Sequence, residues 1–128
     1  MLRIASSRLA SRLPLLITGI TGVAGYSAHH YFQRRYPGRV IGIRPRRTWR
    51  LRGEGIVALD ADDAAGVDEL FRRHHFRSVL NCVGNCALKS CELDPAMARQ
   101  VNVVSAAVIA ENAVRRHCRL VHLSSDLV

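Results

Sequence analysis

The residues best suited to chemistry form the run Thr18-Gly19-Ile20-Thr21-Gly22-Val23-Ala24-Gly25. Its glycines repeat as G-x-x-G-x-x-G, directly after the apolar stretch Leu15-Leu16-Ile17 and at the head of a segment that suits a helix. Each glycine then has its own task. Gly19 permits a sharp turn out of a strand. Gly22 lets the backbone approach a pyrophosphate with no Cβ in the way. Gly25 lets the helix pack closely on a sheet. The helix N-terminus offers free N–H groups and a partial positive charge, and Thr21 and Val23 flank Gly22 in the same cradle. The chemistry indicated is the non-covalent holding of a dinucleotide's phosphates, and the strand-before, helix-after context strengthens a spacing that is weak alone.

A second group of candidates follows the next apolar stretch. Domains that read NAD place Asp or Glu about 20 residues beyond the glycines, on the ribose hydroxyls. Here no acidic residue precedes Glu54, and the corresponding segment is Ile43-Arg44-Pro45-Arg46-Arg47. Arginine can grip a 2′-phosphate through charge-assisted hydrogen bonds and stack on adenine. Arg44, Arg46 and Arg47 therefore point to NADP(H), with NAD(H) as the other option. The same cluster, with Trp49, Arg50 and Arg52, could instead form a nucleic-acid surface. That reading leaves the glycine loop without a role, and no long basic stripe follows in the sequence, so a nucleic-acid partner is not expected.

Positioning these residues requires a parallel α/β sheet. Leu15-Leu16-Ile17, Val40-Ile41-Gly42-Ile43, Ile56-Val57-Ala58-Leu59, Ser78-Val79-Leu80-Asn81-Cys82 and Leu120-Val121-His122-Leu123 read as five short apolar strands. Helices are expected over residues 23–36, from Asp62 or Asp63 to about His75 with Val67, Leu70, Phe71 and His74 on one face, and from Asp94-Pro95 to about His117. Residues 44–54 and 84–93 read as connections. Alternating strands and helices with right-handed crossovers give a Rossmann-type doubly wound sheet of strand order 3-2-1-4-5.

Composition fits one domain. The chain has 128 residues, 48% of them apolar, and a formal net charge of +9. Residues 1–53 hold eleven arginines and no acid; residues 54–128 hold eight basic and ten acidic residues, so the excess lies in the first half. No uninterrupted apolar run is long enough to span a bilayer, and no membrane partner is expected. Cys82, Cys86, Cys91 and Cys118 form no C-x-x-C pair, which argues for reduced thiols in a cytoplasmic protein and against a metal site. The Arg- and Ser-rich residues 1–13 resemble a mitochondrial transit peptide but are read as a flexible extension, leaving 14–128 as the domain.

From the glycine loop onward, residues 14–128 resemble the extended short-chain dehydrogenases/reductases, and within them the dTDP-4-dehydrorhamnose reductase-like branch that acts on nucleotide sugars. Three further segments carry the resemblance: Leu59-Asp60-Ala61-Asp62, Asn81-Cys82-Val83-Gly84 with the stretch on to Asp94-Pro95, and Val121-His122-Leu123-Ser124-Ser125-Asp126-Leu127-Val128. The resemblance implies that Asp60 and Ala61 touch adenine and that Cys82, Val83 and Gly84 lie along the cofactor. It gives Asn102 a structural or cofactor-proximal role and makes Ser125 catalytic. The implied reaction is hydride transfer at a keto group of a nucleotide sugar. In it a tyrosine donates the proton, a lysine lowers that tyrosine's pKa, and Ser125 hydrogen-bonds the carbonyl oxygen.

The sequence also departs from the branch. Cys82 and Val83 stand where small alanines are usual, and Asn85 where an aromatic is. No tyrosine here has a lysine four residues later: Tyr26, Tyr31 and Tyr36 are followed at that distance by His30, Arg35 and Val40. The chain is therefore expected to be the cofactor-binding part of a larger enzyme, inactive alone. The other option is a non-catalytic NADP-binding regulatory module resembling the methionine adenosyltransferase beta subunit. Expected partners are the nicotinamide dinucleotide and, in a longer form, the nucleotide sugar; a homodimer is left open.

Overall fold

The computed structural model describes residues 8–124. Five strands, β1 (Leu15–Thr18), β2 (Val40–Arg44), β3 (Ile56–Ala58), β4 (Ser78–Asn81) and β5 (Arg119–His122), form one sheet. Their order is β3-β2-β1-β4-β5, and every neighbouring pair is parallel. This is the Rossmann-type arrangement expected from the sequence.

Strand residues alternate between two cores, as the period-two pleat demands. Leu16, Ile43 and Val79 point to one face and pack with Val67, Leu70, Phe71, Ile109 and Ala113. Leu15, Ile17 and Val40 point to the other, with Leu13 and Ile20. Helix α1 (Val23–Arg35) covers this second face; α2 (Ala64–His74) and the helix that ends at Arg115 cover the first. Leu13 is only 2% exposed and packs in the second core, and residues 8–10 form a helical turn. The remaining residues of the proposed extension, 1–7, lie outside the described residues.

Several boundaries differ from the sequence reading: β1 and β2 run one residue further, to Thr18 and Arg44, and β5 starts and ends one residue earlier, at Arg119 and His122. β3 ends at Ala58, with the Leu59 N–H making the last ladder bond, to the Arg44 carbonyl. Cys82 lies just past β4. The connection 84–93 contains a six-residue helix, α3 (Leu88–Leu93). Asp94 caps the next helix as its sequence implied, its carboxylate accepting from the Met97 N–H at 2.9 Å with Pro95 in the first turn. That helix is not uniform. It runs as α4 (Pro95–Arg99), a π-helical turn (Gln100–Val104) and α5 (Ser105–Arg115). The Ser105 N–H reaches back to the Gln100 carbonyl, and the Ser105 hydroxyl donates to the same carbonyl at 3.1 Å. No helix among the described residues is long and apolar enough to cross a membrane.

Candidate dinucleotide-binding site

A cleft of about 810 Å3 opens at the C-terminal ends of the strands, where β1 and β4 diverge to connections on opposite faces. Ligand clefts in doubly wound sheets form at such switch points. Of the residues singled out from sequence, Gly19, Thr21, Gly22, Arg44, Arg46, Arg47, Asp60, Ala61, Cys82, Val83 and Gly84 line it. Val23, Gly25 and Asn102 do not. Ser125 lies outside the described residues.

The three glycines sit in different surroundings. Gly19 has φ +67°, and a Cβ there would lie 2.5 Å from the Cys82 carbonyl oxygen. A Cβ on Gly25 would lie 2.2 Å from the Gly19 carbonyl oxygen, so Gly25 is buried packing between helix and loop. Gly22 is different. A Cβ there would meet only the Gly19 carbonyl, at 3.5 Å, and otherwise open space on the cleft side. Gly22 also precedes α1, whose first turn receives no side-chain cap. The cradle therefore suits an anion bound by backbone N–H groups. Val23, expected in the cradle, is 88% exposed at the first helical position.

A buried polar network fixes the opposite lip. The Thr18 hydroxyl donates to Asn81 Oδ1 and accepts from the Cys82 N–H at 3.1 Å. Asn81 Nδ2 donates to His122 Nδ1 at 2.9 Å, tying β1, β4 and β5 together. Burial pushes the Cys82 thiol pKa up, which keeps it a neutral wall of the cleft rather than a nucleophile. Asn102 acts one layer out. Its Oδ1 accepts from the Asn85 N–H at 2.7 Å and its Nδ2 donates to the Asn85 carbonyl at 3.0 Å, clamping the post-β4 loop to the π turn. Of the two roles implied for it, the geometry supplies the structural one.

The arginines separate by environment. Arg44 is buried, and its guanidinium donates to the carbonyls of Leu51 (2.5 Å), Pro45 (3.1 Å) and Arg46 (3.5 Å). It fastens the β2–β3 connection rather than offering its donors to a ligand. Arg46 is exposed and bridges Asp60 and Asp63 at 3.3 and 2.9 Å. Asp63 also caps α2, and the Gly66 N–H and then Arg46 hold its carboxyl pKa below the usual range. Arg47 lines the cleft, exposed, with no carboxylate partner among the described residues. Sequence reasoning missed Asp62 and Gln100, whose side chains meet at 2.7 Å to close one wall, and Met97 and Val101 beside them. The helix period marks residues 97, 100 and 101 as one face; only the fold shows that this face borders the cleft. Among the described residues no three His, Cys, Asp or Glu side chains converge as a metal site would require.

The RmlD substrate binding domain model matches residues 13–128 of the sequence. The chain belongs to this family. Curated proteins provide no matching relative. The RmlD-type fold recurs in solved structures. L-threonine dehydrogenase from Clostridium difficile superposes with a TM-score of 0.75 at 21% identity, over 87% of this chain and 36% of that one. A hypothetical dTDP-4-dehydrorhamnose reductase from Sulfolobus tokodaii gives 0.73 at 20%, over 86% and 38%. UDP-glucose 4-epimerase from Thermotoga maritima, solved with UDP-glucose, gives 0.76 at 16%, over 87% and 37%. The chain thus spans a little over a third of the length of these structures, and at such identities the likeness concerns the fold.

Proposed function

We propose that this RmlD-type domain is the NAD(P)-binding portion of an oxidoreductase that transfers hydride to a keto group of a nucleotide sugar. The observation that carries the reading is the placement of Gly22, bare of Cβ, at the uncapped start of α1 and on the wall of the switch-point cleft. A pyrophosphate fits there, with Asp60 and Ala61 toward the adenine and Val83 and Gly84 along the nicotinamide half. The cofactor would supply the hydride. The residues of this chain bind it, orient it and wall off water. Ser125 would hydrogen-bond the substrate's carbonyl oxygen.

NADP(H) is the preferred cofactor in this reading, with Arg47 and Arg46 at the 2′-phosphate and Arg44 shaping the loop that presents them. Calorimetric titration of the purified chain with NADPH and NADH tests it. NADPH should bind more tightly. Arg47→Ala should lose about 1–3 kcal/mol of NADPH binding and little of NADH binding, as expected for one charge-assisted contact. Equal affinities, or an equal loss for both cofactors, would refute the preference, and failure to bind either would refute the site. These 128 residues contain no Tyr-x-x-x-Lys pair. Cofactor binding without turnover is therefore expected of the chain by itself.

A further inference from the structure

The end of the sheet opposite the cleft carries a pattern that dinucleotide binding does not use. Each connection from a helix to the following strand begins with two arginines and ends with a third. They read Arg34-Arg35-Tyr36-Pro37-Gly38-Arg39, Arg72-Arg73-His74-His75-Phe76-Arg77 and Arg115-Arg116-His117-Cys118-Arg119. None contains an acid. The fold brings these segments, remote in sequence, side by side. The Leu15 N–H donates to the Arg39 carbonyl, the Arg77 N–H to the Pro14 carbonyl, and the Arg119 N–H to the Arg77 carbonyl. Arg39 and Arg77 thus immediately precede β2 and β4, and Arg119 opens β5 one residue further along, opposite Ser78, so all three lie at one end of the sheet within three strand spacings or roughly 14 Å.

Helix-end electrostatics explains only part of this. Cations in the last turn of a helix are favoured by its dipole, which accounts for the leading pairs. The third arginine of each set lies beyond its helix and gains nothing there. Asp68 and Glu69 pair with Arg72, Arg73, Arg115 and Arg116. Arg34, Arg39, Arg77 and Arg119 are exposed and have no carboxylate partner among the described residues. Beside Arg77 lies a recess bordered also by Phe71, Arg72, His75, Phe76 and Arg116. None of the large apolar side chains exposed elsewhere falls within these three segments, although Val114 adjoins one, so the segments themselves offer no wedge of the kind that seats a protein in a bilayer. Arginine, rather than lysine, matches phosphate with a bidentate fork.

We propose that this face binds the phosphate backbone of a nucleic acid without sequence preference, at a site separate from the dinucleotide cleft. The expectation of no nucleic-acid partner concerned the cluster from Arg44 to Arg52 and rested on the glycine loop's role and on the lack of a basic stripe along the sequence; these three connections meet only in the fold.

Fluorescence anisotropy of the 128-residue chain with a labelled oligouridylate of about 20 nucleotides tests the proposal. Binding should weaken steeply with salt. The Arg39→Gln, Arg77→Gln, Arg119→Gln triple variant should lose on the order of a hundredfold in affinity near 0.1 M salt, and its log–log salt slope should shrink by about 2. Far-UV circular dichroism and NADPH titration monitor the variant's integrity. If the triple variant does not fold, each single variant should lose about fivefold. Saturating NADPH should leave the oligonucleotide bound. The proposal is overturned if the wild-type chain does not bind, if folded variants bind as tightly as wild type, or if NADPH displaces the oligonucleotide. It is equally overturned if phosphatidylserine vesicles are bound while the oligonucleotide is not.

Discussion

Two of the loop's glycines should respond to alanine in opposite ways. Gly25→Ala forces a Cβ to within 2.2 Å of a backbone oxygen, and neither helix nor loop can yield without breaking the close approach. Its cost should exceed about 3 kcal/mol, read as a lowered midpoint in urea unfolding. Gly22→Ala meets nothing nearer than 3.5 Å. It should unfold like wild type yet lose most dinucleotide affinity, because its methyl stands where the phosphate approaches. If both variants unfold alike, the division of roles is wrong. His29 makes a pH-dependent contribution. It is buried, packs against Gly42 where a Cβ would lie 2.6 Å from its ring, and bonds the Gly55 carbonyl at 3.1 Å through Nε2. Burial lowers its pKa from 6.5, partly countered by that bond, with His30 lowering it further. The unfolded chain then binds the proton more readily, so stability is full above about pH 6.5 and is lost as pH falls toward the folded-state value. Thermal unfolding between pH 7 and pH 5 should show this slope, flattened in His29→Gln; an unchanged slope would point to His74, which burial also lowers. At this scale the glycines were legible in the sequence, because their spacing encodes a backbone path. The Arg44 clasp and the Thr18–Asn81–His122 network were not, because their partners lie on other strands.

Element boundaries were legible where a local signal sets them. Asp94-Pro95 and Asp63 start helices through side-chain caps that a sequence displays. Helix α3 was read as loop because Ala87 offers no cap and the stretch is only six residues long. The π turn is invisible to periodicity over so short a span, since it adds one residue to a turn without changing the apolar pattern. It nevertheless places Asn102 against the post-β4 loop. Asn102→Ala should free that loop at a cost of about 1 kcal/mol, a small sum for two partly exposed hydrogen bonds. Hydrogen exchange at Asn85 should accelerate well before that of the β4 amides. Uniform protection in the variant would mean the clamp is incidental.

The order of the whole sheet followed from strand–helix alternation and handed crossovers, which is why it could be written down from the sequence. Surface assembly could not, because the arginines that share a face are dispersed through the chain. The centre of the sheet and its β5 edge also differ in cover. β1 is buried throughout, whereas Val121 on β5 is 46% exposed and Leu123, just beyond it, is 45% exposed. Val103 and Val114 are exposed at 52% and 74% on the neighbouring helical segment. Apolar surface beside an open strand edge favours association. The purified chain should therefore bind a hydrophobic dye and self-associate with rising concentration in analytical ultracentrifugation, and Val121→Lys should reduce both. A monodisperse, dye-silent monomer would contradict this. The β2–β3 connection differs from every other crossover in the sheet in having no helix, and one buried guanidinium holds it to three of its own carbonyls. With Arg46 adding a second tie to Asp60 and Asp63, the connection is held as a fixed frame that presents the exposed side chains of Arg47, Trp49 and Arg50 for rewriting. Natural variation could thereby retune which cofactor the site prefers while leaving the sheet untouched.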